Sequence, residues 1–239
     1  MTSYVLVHGA WHGGWCWRRV RAALQASSND VYTPTLTGLG ERVHLASREI
    51  SLTTHIEDVL GVLEAENLFE VVLVGHSYGG MVVTAVAHRS ADRIARLVYL
   101  DAVVPRDGQC LYDCASPQIR TLFEEEARNS CEDWRVPVSV ATPQFLGLTA
   151  EEDIRWVLPK LTPHPIRTFR EAVRFDAQDP QMPRTYINCL GEESYGQPRT
   201  RHAAGIEDYR EVRTGHDAMV TAPAEISAIL CGSGGGACD

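Results

Sequence analysis

The chain lacks several features that would assign it to a class directly. It contains no run of about 18 apolar residues, so no membrane-spanning helix is predicted. It has no basic start followed by an apolar core, and strand-like sequence begins at Tyr4, so we expect no targeting segment. Positive charge is also scarce, and the formal net charge of −9 argues against nucleic acid or an anionic membrane as a partner.

The cysteine pattern excludes two more classes. There are seven cysteines, an odd number, and none forms a Cys-x-x-Cys pair, so the sequence predicts neither a disulfide framework nor a zinc site. What is present is a globular composition, with 44% hydrophobic and 22% charged residues in a chain of 239. A chain of that length can bury a large core within one domain. We therefore expect a cytoplasmic protein with reduced thiols and no bound metal.

Short apolar segments typical of strands alternate with amphipathic segments typical of helices. Helices are predicted at 17–26 and after Thr54, where Thr54-x-x-Glu57 has the pattern of a capping box. Strands separated by helices imply right-handed crossovers, and hence an α/β fold with a mostly parallel sheet and helices on both faces. The predicted strands, about six in number, lie at 4–7, 31–33, 71–74, 97–101, 184–190 and 209–213.

The alternation lapses between about 105 and 183, which we call the cap segment. It contains polar helix-like stretches at 117–130 and 149–158 and repeated prolines. This pattern is typical of a helical cap inserted above a sheet rather than of a second domain. We therefore predict a single domain over 1–231, followed by a glycine-rich tail at 232–239 that is too flexible to belong to the fold.

A candidate nucleophile follows the third predicted strand. The apolar run 71–74 leads into Gly-x-Ser-x-Gly at 75–79, and a small-residue apolar segment follows. This pattern predicts a strand, a sharp turn and a helix, with the hydroxyl of Ser77 raised above the edge of the sheet. A serine at that point lies at a helix N-terminus, where backbone N–H groups favour the negative charge that its attack creates.

A serine hydroxyl needs a base, and the base needs a carboxylate partner. His216 directly follows the last predicted strand, and the carboxyl ends of parallel strands share one edge of the sheet, so His216 is the candidate base. Glu192, after the penultimate strand, is the first choice for the acid, with Glu193 beside it. Asp101, at the end of the fourth strand, is the alternative acid.

The glycine-rich loop after the first strand is a candidate oxyanion site. The N–H of Tyr78 should supply one donor, and the N–H of Ala10 in the loop at 8–15 is the expected second donor. Gly9, Trp11 and Cys16 are candidates for the wall of the pocket. The thiol of Cys16 either borders that pocket or is a small buried hydrophobic group.

The chain resembles the α/β hydrolases of the plant methylesterase and hydroxynitrile lyase group and their small bacterial esterase relatives. The matching segments lie at 5–15, 36–40, 75–80 and 215–219, in the family's order and across nearly the whole chain. The opening and the Gly-x-Ser-x-Gly turn are also similar to bacterial hydrolases that cleave carbendazim, a methyl carbamate. The resemblance implies Ser77 and His216 as nucleophile and base, the N–H groups of Ala10 and Tyr78 as the oxyanion hole, and Glu192 at the acid position.

Hydrolysis and C–C cleavage share this scaffold, and two positions favour hydrolysis. The lyases of the group carry a lysine directly after the catalytic histidine and a threonine after the first-loop histidine, whereas this chain has Asp217 and Gly9. A carboxylate would repel a departing cyanide anion. We expect a serine hydrolase that cleaves a small ester or carbamate, such as that of carbendazim, through an acyl-enzyme, with no cofactor and only a small-molecule partner. Hydroxynitrile lyase-like cleavage and a non-catalytic binding protein are the alternatives, and a homodimer stays open.

Overall fold

The structure, a computed structural model, describes residues 1–175, 179–191, 206 and 208–232. A six-stranded sheet with the order β2-β1-β3-β4-β7-β8 forms its centre, and every pairing within it is parallel. The predicted α/β architecture is therefore confirmed. The strands of this sheet are β1 (Ser3–Val7), β2 (Asp30–Tyr32), β3 (Val71–His76), β4 (Ile94–Leu100), β7 (Arg184–Cys189) and β8 (Asp208–Val212).

Helices connect these strands and fill the space between β4 and β7. Short 3-10 helices occur at Gly14–Trp17, Gly40–Leu45, Ala91–Arg93, Val138–Val140 and Leu158–Lys160. The α-helices are α1 (Arg18–Ala26), α2 (Leu52–Ala65), α3 (Gly79–Arg89), α4 (Leu111–Cys114), α5 (Pro117–Asn129), α6 (Pro143–Leu146), α7 (Glu151–Val157), α8 (Arg167–Arg170), α9 (Ala218–Thr221) and α10 (Pro223–Leu230). In the described part of the chain, none of these helices is long and apolar enough to cross a membrane.

The parallel register brings the loops that follow the strands to one edge of the sheet. The last residue of β1, Val7, pairs with Gly75 of β3, and the last residue of β3, His76, pairs with Leu100 of β4. Leu100 in turn pairs with Ile187 of β7. The loops that follow β1, β3, β4, β7 and β8 therefore leave the sheet on the same side, where the sequence predicted the functional residues.

Strand β3 lies inside the sheet, between β1 and β4. All six of its residues are buried, because neighbouring strands and helices on both faces cover it. Continuous apolar sequence is what a parallel strand covered on both faces requires. The strand thus gives the turn after it a rigid support.

The start of α2 differs from the prediction. The capping box is formed one turn earlier than Thr54-x-x-Glu57, because Ser51 is the N-cap and Thr54 is its reciprocal partner. The N–H of Ser51 donates to the Thr54 hydroxyl over 3.2 Å. A threonine can occupy either position of such a box, and the apolar residue Leu52 already belongs to the buried face of the helix.

The cap segment contains the two predicted helices and several short elements that the sequence did not indicate, among them helices α4, α6 and α8. Helices α5 and α7 lie within the predicted stretches. A two-residue strand, β5 (Arg135–Val136), pairs in antiparallel fashion with β6 (His164–Pro165). Strands of two residues carry no periodicity, so no sequence pattern predicts them.

Candidate active site

Ser77 lies in a strained turn between β3 and α3. Its φ angle is 53°, in the left-handed region that residues other than glycine rarely adopt. The turn depends on close contact with small residues: a Cβ on Gly80 would overlap the carbonyl oxygen of Val103. A Cβ on Gly9 would lie 3.0 Å from the Cβ of Ser77. The loop after β1 therefore passes directly beside the serine.

A continuous chain of hydrogen bonds runs from Ser77 through His216 to Asp101. Nε2 of His216 lies 2.9 Å from the Ser77 hydroxyl, and Nδ1 of His216 lies 2.6 Å from Oδ2 of Asp101. Burial by itself would lower the pKa of His216, but the hydrogen bond and the charge of Asp101 raise it above its ordinary value. The arrangement can take a proton from the serine and stabilise the imidazolium that results.

The ranking of the candidate acids changes. Glu192 and Glu193 both lie outside the described residues. Nδ1 of His216 is already engaged by Asp101, the alternative acid, and this contact favours Asp101 over Glu192. The backbone of Asp101 is in the left-handed region, with a φ of 42°. Its N–H donates to the carbonyl of Ile187 in β7 over 2.8 Å, which fixes the residue at the end of β4.

The loop after β1 is fixed by a buried histidine. Nδ1–H of His8 donates to the carbonyl of Gly9 over 2.8 Å, and the N–H of Leu36 donates to Nε2 of His8 over 3.0 Å. These partners require a neutral ring, and burial accordingly lowers the pKa of His8 to about 3. The carbonyl of Gly9 and the N–H of Ala10 belong to one peptide unit, so His8 orients the candidate oxyanion donor.

The charge of Asp217 is not directed at a departing anion, contrary to the expectation from the sequence. Its side chain is fully buried, and its Oδ2 accepts a hydrogen bond from Nε2 of His12 over 3.0 Å. The negative charge that was expected to repel an anion is therefore compensated by a neighbouring histidine. The preference for hydrolysis has to rest on other observations.

Two histidines without any sequence motif pack against the side chain of Tyr78. Tyr78 donates its hydroxyl hydrogen to Nδ1 of His55 over 2.8 Å, because Nε2–H of His55 donates to the carbonyl of Thr37. The ring of His164 lies 4.8 Å from that of Tyr78 and stacks on Phe169. Positions 55 and 164 lie far from the Gly-x-Ser-x-Gly turn in the sequence, and no local pattern could have identified them.

Trp11 and side chains of the cap segment form an aromatic wall. Its centre is Trp11, which has a φ of 63° and whose indole N–H donates to the carbonyl of Val136. The Trp11 ring meets Phe123 and Phe145 edge to face at 5.4 and 5.7 Å. The ring of Phe145 in turn lies 6.3 Å from that of His216. The wall thus reaches the candidate base.

A cavity of about 970 Å³ opens beside the candidate acid and base. That volume is typical of a site for a small organic molecule. Its described wall combines residues at the ends of the strands with residues of the cap segment, among them Asp101, His216, Cys189, Phe145 and Leu148.

The thiol of Cys16 is fully buried. Its relative exposure is 0%, and burial raises its pKa well above the ordinary value. These observations favour the small buried hydrophobic group over a thiol that borders the pocket. The cysteine in the wall of the cavity is Cys189.

Comparisons with known proteins agree with this geometry. The model of the alpha/beta hydrolase family matches residues 4–229. The carbendazim hydrolyzing esterase of Nocardioides sp. (strain SG-4G) is 37% identical over 245 residues, which cover 98% of this chain and 100% of that protein. The putative methylesterase 14, chloroplastic, of Arabidopsis thaliana is 28% identical over 192 residues, or 74% of this chain and 55% of that protein.

A solved structure extends the comparison to the fold. An extracellular alpha/beta-hydrolase from a Paenibacillus species superposes with a TM-score of 0.81 at 22% identity, over 98% of this chain and 99% of that one. The chain belongs to the alpha/beta hydrolase family. It is a hydrolase of ester-type bonds, as the sequence predicted.

Proposed function

We propose that this hydrolase cleaves small esters or carbamates of aromatic compounds through an acyl-enzyme, with methyl carbamates of aromatic heterocycles as its first substrate class. The observation that carries the proposal is the hydrogen-bonded chain from Ser77 through His216 to Asp101. A hydroxyl, an imidazole and a carboxylate in this order are the parts that acyl transfer by a serine requires.

In the proposed first step, the hydroxyl oxygen of Ser77 attacks the carbonyl carbon and its proton moves to Nε2 of His216. Asp101 stabilises the imidazolium across the 2.6 Å contact at Nδ1. When the tetrahedral intermediate collapses, His216 returns the proton to the leaving group and Ser77 keeps the acyl group. Water then attacks the acyl-enzyme, with His216 again taking the proton, and Ser77 is released as the free hydroxyl.

The N–H groups of Ala10 and Tyr78 are the proposed donors to the oxyanion. Two contacts support Ala10: Gly9 passes beside the Cβ of Ser77, and His8 holds the peptide unit that carries the Ala10 N–H. Tyr78 directly follows the serine and precedes α3, so its N–H belongs to the positive end of that helix. Such donors stabilise the charge that forms in the transition state.

The aromatic wall supports an aromatic substrate. Phe145 lines the cavity with its ring 6.3 Å from that of His216, and the buried rings of Trp11 and Phe123 support it from behind. Flat aromatic groups pack well against such a surface. The relative from Nocardioides is named for the hydrolysis of carbendazim. The cap segment supplies Phe123 and Phe145, so we assign the choice of substrate to it.

A panel of substrates tests the proposal. Purified protein is assayed with phenyl acetate, methyl benzoate and a methyl carbamate of an aromatic heterocycle, before and after treatment with a serine-directed phosphonate. We expect turnover of the carbamate and of at least one ester, and loss of both activities as one phosphonate is incorporated per chain. Turnover that survives full labelling would contradict the role of the serine. A protein that reacts with neither the phosphonate nor any of the substrates would be the non-catalytic binding protein.

A further inference from the structure

A buried ion pair joins the loop after β1 to the loop after β8. His12 lies two residues after Ala10, and Asp217 directly follows His216. Nε2 of His12 and Oδ2 of Asp217 are 3.0 Å apart, and their side chains are 1% and 0% exposed. The contact spans 205 positions of the sequence. It connects the candidate oxyanion loop directly to the loop that carries the candidate base.

The hydrogen-bond partners fix the protonation of His12. Its Nδ1 lies 2.7 Å from the carbonyl oxygen of Ala10, and its Nε2 faces the carboxylate of Asp217. The carbonyl oxygen can only accept, and Asp217 accepts when it is ionised, so both ring nitrogens then donate and the ring is an imidazolium. Although burial opposes the charge, Asp217 raises the pKa of His12, and His12 lowers the pKa of Asp217 against the same burial.

Further contacts anchor Asp217 and its neighbour. The N–H of Asp217 donates to the carbonyl of Leu146 in the cap segment over 2.9 Å. Nε2–H of His76 donates to the carbonyl of His216 over 2.9 Å, and Nε2 of His76 lies 4.0 Å from Oδ1 of Asp217. Within the described residues, Oδ1 of Asp217 has no hydrogen-bond partner. The carboxylate therefore depends on His12 for its main stabilisation.

Burial of an ion pair costs free energy, because both charges lose their contact with water. Two charges removed from water seldom stabilise a fold as much as apolar side chains of similar volume would. The position of the pair, between the two loops that must act together on one tetrahedral intermediate, points instead to a role in geometry. His12 holds the carbonyl of Ala10, and Asp217 holds the backbone next to His216.

We propose that His12 and Asp217 are positioning residues. They keep the loop after β1, which carries Ala10, and the loop after β8, which carries His216, in a fixed position relative to each other. The inference rests on the proposed function, because it assigns the Ala10 loop and His216 to the same reaction. Neither side chain touches the reacting atoms. Loss of the pair should therefore impair the transition state more than the binding of substrate, since a shift of about 1 Å in such a site can cost about 100-fold in rate.

The test compares His12→Gln, Asp217→Asn and the double variant with the wild type. Each is assayed for kcat and KM on phenyl acetate, and for its affinity for a trifluoromethyl ketone, which forms a tetrahedral adduct with the serine, and for phenol, a ground-state ligand. Glu57→Gln is the control, because Glu57 of α2 forms an ion pair with Arg89 of α3, outside both loops and outside the cap segment.

We expect each single variant to lower kcat by about 10- to 100-fold, with KM within about three-fold of the wild type. Affinity for the ketone should fall in proportion to kcat, affinity for phenol should stay constant, and the double variant should be no worse than the poorer single variant. Glu57→Gln should keep its activity. Folded single variants with unchanged kcat and ketone affinity, or losses that multiply in the double variant, would overturn the proposal.

A measurement on the wild-type protein tests the proposal even if the variants do not fold. In 15N-histidine-labelled wild type at pH 6, both ring nitrogens of His12 should carry a hydrogen, because Asp217 raises the pKa of His12 above its ordinary value. A neutral ring at His12 would overturn the proposal. If Ser77 is not the nucleophile, the ketone fails to bind the wild type while the His12 signals stay the same, so failure of the two proposals can be distinguished.

Discussion

Asp101, whose carboxylate faces His216, has a specific role in the proposed mechanism that a substitution can test. Asp101→Asn should lower kcat by about 10⁴-fold, because an amide cannot stabilise the imidazolium and favours the wrong ring tautomer. Glu192→Gln and Glu193→Gln should keep most of the activity. Steady-state kinetics of the three variants on one ester separate the candidates, and a severe loss in Glu192→Gln with a mild one in Asp101→Asn would reverse the assignment.

The pH profile of Asp101→Asn provides an independent check. His216 must be neutral to accept the serine proton, and Asp101 raises its pKa. In the wild type, kcat/KM should therefore fall as the pH drops through a value above the ordinary 6.5 of histidine. Removal of the carboxylate lowers that pKa, so the acidic limb of the variant's residual activity should move to lower pH.

The burial of Cys16 predicts a contrast between two thiols. Cys16 is buried and its pKa is raised, whereas Cys131 is exposed. Because the thiolate is the reactive form, a thiol reagent such as iodoacetamide should label Cys131 in the folded protein and leave Cys16 unmodified. Peptide mass spectrometry at successive times measures both. Labelling of Cys16 as fast as that of Cys131 would place its thiol at an open surface.

Residues next to a strand end could be predicted from the sequence, and residues defined by long-range contacts could not. Ser77 and His216 each carry a local pattern that fixes their place on the sheet. Asp101 also ends a strand, but the direction of its side chain depends on a φ of 42°, which no sequence pattern specifies. The pairing of His12 with Asp217 is a property of the fold alone.

At the scale of elements, the close approach of α3 to the turn after β4 explains the small residues that open this helix. Gly80→Ala should destabilise the protein by about 3 kcal/mol or more. The new Cβ would overlap the carbonyl oxygen of Val103, and this backbone group cannot move without the rest of the turn. Urea unfolding monitored by circular dichroism measures the loss. An alanine tolerated at no cost would contradict the packing of this helix against the turn.

The matched control lies in α2. Gly61 is exposed in the interior of that helix, and no atom lies within 4 Å of the Cβ that alanine would add. Gly61→Ala should stabilise the protein by about 0.5 to 1 kcal/mol, because alanine loses less backbone entropy on forming a helix.

The main elements could be predicted because their hydrophobic patterns are long enough to have a period. All six strands of the sheet and helices α1, α2, α5 and α7 fall within two or three residues of their predicted positions. Helix α2 begins one turn before its predicted position, because Ser51 and not Thr54 is the N-cap. The two-residue strands β5 and β6 were missed because their pairing, rather than their sequence, defines them.

At the scale of the whole molecule, a set of buried neutral histidines links stability to pH. Burial lowers the pKa of His8 and His76 to about 3, of His55 to about 4, and of His164 well below its ordinary value. In the unfolded chain each would titrate near 6.5. Their contribution to stability is complete above pH 6.5 and is lost as the pH falls from there toward the folded values.

Each of these histidines should cost about 1.4 kcal/mol of unfolding free energy per pH unit in that window. The urea midpoint should therefore fall steeply between pH 6.5 and about 4.5, before most carboxylates protonate. His12 and His216, whose pKa values are raised, act in the opposite direction and lose their contribution only as the pH rises through their folded pKa values.

A pair of variants isolates the effect. His55→Asn should flatten the pH dependence by about 1.4 kcal/mol per unit, since it removes one proton taken up on unfolding. His44→Asn, at an exposed position, is the control substitution. Equal unfolding free energies at pH 7 and pH 5 in the wild type would contradict the neutral buried histidines.

The proposed acyl transfer depends on Ser77 as the nucleophile, and the turnover of Ser77→Ala tests this role most directly. Alanine removes only one oxygen, so the variant should fold like the wild type, which circular dichroism can verify. We predict that kcat on phenyl acetate falls by several orders of magnitude, because the remaining groups retain only a small part of the acceleration. A folded Ser77→Ala enzyme that keeps more than about a tenth of the wild-type kcat would contradict the account.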